Sequence, residues 1–95
     1  MKSARFEWDD AKAAANWRRH GVSFEHAATA LGDTFAVEWI DDRRDYGEER
    51  LSLLGMCEGT LLNVAFTERG ERIRIISARR AERHEQNRYF QEDFR

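Results

Sequence analysis

Arg5-Phe6-Glu7-Trp8 alternates polar and apolar residues, the period of two expected of a short strand. Asp9 then offers an N-cap, and Ala11 to His20 are good helix formers. Gly21 stands where a left-handed residue closes a helix, with Val22 able to pack back over the last turn. Ser23 caps a second helix, Phe24 to Leu31, which Gly32 ends. The link His20-Gly21-Val22-Ser23 therefore predicts a compact helical hairpin.

Beyond it the period returns to two. Phe35 to Ile40 is aromatic and branched, a strand, and the charged stretch Asp41 to Glu48 with Gly47 is a loop. Leu51 and Leu53 share one face of the next strand, with Arg50, Ser52 and Leu54 on the other. Glu58-Gly59 turns the chain, after which Leu62, Val64 and Phe66 face one way. Gly70 supplies a second tight turn. Ile73 and Ile75 continue the apolar face, leaving Arg72, Arg74 and Ile76 opposite. Ala81 to Glu92 is a final helix. The predicted class is α+β: an N-terminal strand and an α-hairpin packed on an antiparallel β-meander, then a C-terminal helix. Alternation makes the second sheet face polar and basic, carrying Arg50, Ser52, Asn63, Thr67, Arg72 and Arg74.

Ninety-five residues is a one-domain length, so residues 1–95 are expected to fold as a single domain. Cys57 is the only cysteine, which rules out an internal disulfide and a multi-cysteine zinc site. No apolar run approaches the length of a membrane span, and no signal peptide is evident, so the expected location is cytoplasmic. The net charge of −2 argues against a general nucleic-acid binder, but its distribution does not. Residues 69–88 hold seven arginines against three glutamates, a local +4. Residues 33–49 hold seven acidic residues against two arginines, a local −5. Only Lys2 and Lys12 are lysine, and arginine's planar fork suits bidentate contact with phosphate.

The segment from Arg72 to Arg80 is thus the first candidate for chemistry. Arg50, Arg72 and Arg74, with Arg79 and Arg80 at the strand-to-helix junction, read as a cradle for a phosphate and for charge developing on it. The plainer reading is a solvated sheet face on which alternating arginine is ordinary. His84, Glu85 and Tyr89 on the last helix are possible proton-transfer groups. Equally, Glu85 pairs with Arg79 or Arg88 while Tyr89 packs on the sheet. His20, in the last turn of its helix, reads as structural, and His26 as merely exposed. Cys57 has no evident histidine partner in the sequence, and the three histidines are too scattered to predict a metal site. The chain contains no P-loop and no G-x-S-x-G.

Three stretches resemble a known family. FEWDDAKAAANWRRHGVSFEHAA (Phe6–Ala28), the pair Glu49-Arg50, and TERGERIRIISARRAERHE (Thr67–Glu85) followed by Tyr89 are similar to BrnT, the toxin of type II toxin–antitoxin pairs. The resemblance implies a RelE-like fold and an endoribonuclease that inhibits translation by cutting RNA through 2′-hydroxyl attack, without a metal or other cofactor. It also implies neutralisation by a BrnA-type antitoxin, through which the complex binds operator DNA. By position it points to Arg50, Thr67, Arg72, Arg74, Ser77, Arg79, Glu85 and Tyr89. Trp8, Lys12, Asn16, His20, Gly21 and Phe24 also match and are read mostly as fold-determining. Glu82 and Phe66 depart from the family pattern. The competing expectation is a non-catalytic interaction module, or a degenerate toxin acting only in a repressor complex with its partner.

Overall fold

Local capping settles the first third of the chain. In the computed structural model, which describes residues 5–93, β1 (Phe6–Glu7) leads into α1 (Asp10–His20). Asp9 caps α1 by accepting hydrogen bonds from the amides of Ala11 (2.8 Å) and Lys12 (3.3 Å). Gly21 closes it at φ 67°, its amide donating to the Trp17 carbonyl. The Ser23 hydroxyl accepts from the His26 amide and starts α2 (Phe24–Leu31). Gly32 ends α2 at φ −92°, so this helix stops without the left-handed turn that ends α1.

The remaining elements are β2 (Val37–Asp41), β3 (Arg50–Cys57), β4 (Thr60–Arg69), β5 (Arg72–Arg80) and α3 (Arg83–Asp93). Strands β2 to β5 form the expected antiparallel meander, and β1 adds in parallel to β5, giving the sheet order β1-β5-β4-β3-β2. Strand β2 starts at Val37 and not Phe35, because Asp33 captures both intervening amides: its carboxylate accepts from Phe35 and its carbonyl from Ala36. Helix α3 starts at Arg83 and not Ala81, because the Ala81 amide still extends the sheet ladder to the Leu61 carbonyl. No helix among the described residues is long and apolar enough to cross a membrane.

Helices α1 and α2 pack on one sheet face. Val22, Phe24, Ala27 and Ala30 meet Leu62, Val64, Ile75 and Ala78 there. Gly55 allows the closest approach: a Cβ on it would run into the Ala30 carbonyl of α2. The opposite face is less polar than alternation predicts. Helix α3 covers part of it, burying Leu54 and Leu61 beneath Tyr89. Ser52 and Thr67 are buried as well.

Strict alternation also fails along β5. Ile75 pairs with Phe66, but Ser77 pairs with Ala65, so Ile76 is an extra residue in the ladder. The bulge reverses the phase of everything after it. Ala78 enters the core, Ser77 and Arg79 join Arg72 and Arg74 on the α3 side, and Arg80 goes to the other.

Asn16 ties α1 to this strand. Its buried amide nitrogen donates to the carbonyls of Val22 (2.9 Å) and Ala78 (2.8 Å), and its oxygen accepts from the Ala78 amide (3.1 Å). Asn16→Ala leaves three buried backbone groups without partners and should cost about 2–4 kcal/mol in denaturant melts. A loss below about 1 kcal/mol would show that the three groups find other partners.

Candidate active site

The phase change on β5 places Ser77 and Arg79 at the floor of a hollow of about 740 Å³. Its walls come from distant parts of the chain: Arg19 and His20 end α1, Trp39 lies on β2, and His84 and Glu85 open α3. Ser52, Asn63 and Ala65 complete the sheet side.

At its centre Arg79 and Glu85 form a two-pronged ion pair, Nη1 to Oε1 at 2.8 Å and Nη2 to Oε2 at 3.0 Å. Glu85 also accepts from Asn63 Nδ2 (2.7 Å) and from the Glu82 amide (2.8 Å). Burial alone would raise the Glu85 carboxyl, but the bonds from Arg79, Glu82 and Asn63 outweigh it and hold the group at about 2. A carboxylate this acidic is a poor proton acceptor at neutral pH. Glu85 fixes the Arg79 fork, leaving the two imidazoles, His20 and His84, as the groups in the hollow suited to proton transfer.

The other arginines are dispersed and more fully neutralised than the local sequence suggests. Arg72 and Arg74 sit at the β1 edge, where Glu7 accepts from both, at 2.8 and 3.0 Å. The bonds from Arg72 and then Arg74 hold the Glu7 carboxyl below its ordinary range. Arg43 grips the buried Asp41 through two bonds and keeps it at about 2. Arg50 lies over the Tyr46 ring, 4.1 Å from its centroid, away from the hollow. The Thr67 hydroxyl donates to the Glu49 carbonyl (2.7 Å), and the buried Tyr89 donates to Asp33 (2.6 Å). Ser77, Arg79, His84 and Glu85 are therefore brought together, whereas Arg50, Thr67, Arg72, Arg74, Arg80 and Tyr89 are not.

Arg80 lines a separate hollow of about 250 Å³ on the helical side, with Trp17, His26 and Cys57. There Cys57 does meet a histidine: donor atoms of His26, Cys57 and Glu58 lie within 4.8 Å of one another. Burial, then the Glu58 charge, raises the Cys57 thiol. Glu82, His84 and Glu85 form a second such cluster, but both Glu85 oxygens are already engaged. The sequence reading missed His20, Arg19, Trp39 and Arg43 as site residues. The signal for His20 was its place after Asn16 on one helical stripe, visible only once Asn16 is known to face β5.

Because Glu85 titrates below its ordinary 4.5 when folded, its charge contributes stability that is complete above that pH and is lost as pH falls towards 2. The shift corresponds to about 3 kcal/mol. Glu85→Gln should remove this component, so that wild type and variant converge in denaturant melts between about pH 4.5 and 2. A constant gap across that window would refute the assignment.

Sequence comparison bears on what this arrangement is for. No curated protein matches the chain. The family model for BrnT, the ribonuclease toxin of type II toxin–antitoxin systems, matches residues 8–85, a span that runs from the residue before the α1 cap through Glu85. The match covers most of the chain, including the Arg79–Glu85 pair and both histidines of the hollow, and the chain belongs to the BrnT family of type II toxin–antitoxin ribonuclease toxins, whose members act on RNA and have an antitoxin protein as partner.

Proposed function

We propose that the chain is a metal-independent endoribonuclease that cleaves RNA by 2′-hydroxyl attack, thereby inhibits translation in the cytoplasm, and is held inactive by a BrnA-type antitoxin. The observation that carries this reading is Arg79, fixed by Glu85 in a hollow that also holds His20 and His84. The scissile phosphate lies against Arg79, with Ser77 beside it. His84, at the amide end of α3, takes the proton from the 2′-hydroxyl. The freed oxygen attacks phosphorus, and Arg79 stabilises the charge that builds on the equatorial oxygens. His20, at the carbonyl end of α1, gives a proton to the departing 5′-oxygen. The products are a 2′,3′-cyclic phosphate and a 5′-hydroxyl end.

Metal independence is supported by the state of Glu85. A cation bound by Glu82, His84 and Glu85 would displace the Arg79 pair and sit beside a fixed positive charge. The antitoxin, in this reading, covers the hollow and carries the operator-binding surface of the complex. One observation favours the alternative of a degenerate toxin acting only with its partner: Glu85 already occupies both terminal nitrogens of Arg79. Growth arrest on expression, relieved by the antitoxin, separates the two.

Purified toxin should cut a labelled oligoribonucleotide to a cyclic-phosphate end, with the rate unaffected by EDTA. Arg79→Ala should lower the rate about 10²–10³-fold, as loss of one transition-state donor does. His20→Ala and His84→Ala should each lower it by about 10²-fold or more. Wild-type cleavage by both histidine variants would sink the proton-transfer scheme, and an EDTA-abolished rate restored by Mn²⁺ would sink the metal-free one.

A further inference from the structure

Among the described residues, the cations differ in what they are already doing. Arg79 holds Glu85, Arg43 holds Asp41, and Arg72 and Arg74 share Glu7. Lys12 and Arg19, both exposed on α1, have no ion-pair partner among those residues. Asp9, three residues before Lys12, is occupied in capping the helix.

These two cations also face the same seam. A shallow hollow of about 190 Å³ between α1 and β5 is lined by Lys12, Ala15, Arg19 and His20 from the helix and by Ile76 and Ser77 from the strand. It shares Arg19, His20 and Ser77 with the larger hollow, so the two adjoin. Lys12 and Arg19 are seven positions apart, close to two helical turns, and stand about 10 Å apart along the axis. The small side chain of Ala15 keeps the floor between them low. Ile76, the extra residue of the β5 bulge, gives that floor an apolar spot.

From this geometry we propose that the α1–β5 seam is a binding track for single-stranded RNA, with Lys12 and Arg19 holding phosphates that flank the scissile one. The strand enters along α1 at Lys12, passes Arg19, and reaches His20, Ser77 and Arg79, where the reacting phosphate lies. At the far wall the Arg88 guanidinium lies over the Trp39 ring, 4.3 Å from its centroid, and a base that reaches this wall stacks against that cation–ring pair. A one-sided cleft with unpaired cations and an aromatic at its end suits an extended strand better than a duplex. Mobile counterions are released from each phosphate so contacted, which makes the track measurable by salt.

This inference rests on the ribonuclease reading, and one experiment separates their failures. The probe is a short 2′-O-methyl oligoribonucleotide, which cannot undergo 2′-hydroxyl attack, and binding is followed by fluorescence anisotropy between about 50 and 200 mM salt. Replacing two phosphate contacts in Lys12→Ala/Arg19→Ala should reduce the steepness of log K against log salt by about 1.4, with affinity at the lower salt down about tenfold. Alanine is the best helix former, so α1 survives both changes. Arg18→Ala, which removes a neighbouring charge outside the seam, should leave the slope alone. An unchanged slope in the double variant, or an equal effect of Arg18→Ala, overturns the track while leaving cleavage intact. Competition by polyglutamate as effective as that by RNA overturns it in favour of a seam for an acidic protein. No RNA binding or cleavage by the wild type overturns the ribonuclease reading and the track with it.

Discussion

A single buried amide holds helix and sheet in their relative positions. Asn16 must give two hydrogen bonds and take one, because two carbonyls and one amide of the main chain converge on it. A carboxylate of the same shape could take the bond from Ala78 but could not give the other two, and an aliphatic side chain could do neither. The amide therefore fixes the rotation of α1 about its axis as well as its distance from β5. That rotation decides which residues of α1 look across the seam at Ser77. The proposed proton donor and both proposed phosphate contacts depend on it, although Asn16 itself touches no substrate in this scheme.

Charge follows a similar logic. Counting residues near one another in the chain makes the stretch from Arg69 to Arg88 strongly basic, yet its acidic partners arrive from elsewhere. Glu7 comes from the other end of the chain, because β1 pairs beside β5. Two arginines that read as a phosphate cradle each give a bond to Glu7, which secures a two-residue strand to the sheet edge. Two cations without an ion-pair partner among the described residues, Lys12 and Arg19, lie on α1, in a stretch where alanines and an asparagine make them easy to overlook.

What the sequence disclosed and what it withheld divide along the range of the interactions involved. The caps at Asp9, Gly21 and Ser23 act within four residues, and the hairpin they define forms as expected. The meander, its turns at Glu58-Gly59 and Gly70, and the apolar face of Leu51, Leu53, Val64 and Ile75 follow from short-range alternation as well. The covering of Leu54 and Leu61 by α3, the capture of Tyr89 by Asp33 and the entry of His20 into the hollow are all contacts between distant segments. Alternation could recognise Arg79 as chemically interesting, but not say which way it points.

The extra residue at Ile76 settles that direction, and it carries an evolutionary consequence. Removing one residue there would leave every histidine, arginine and glutamate of the hollow in the gene, in unchanged order. It would also restore strict alternation to β5, with Ile75 and Ala78 still facing the helices and Ser77 and Arg79 still facing α3. Loss of that one codon is thus a change the hollow can absorb, whereas a strand that kept Ile76 but paired without the bulge would turn both residues towards the helices.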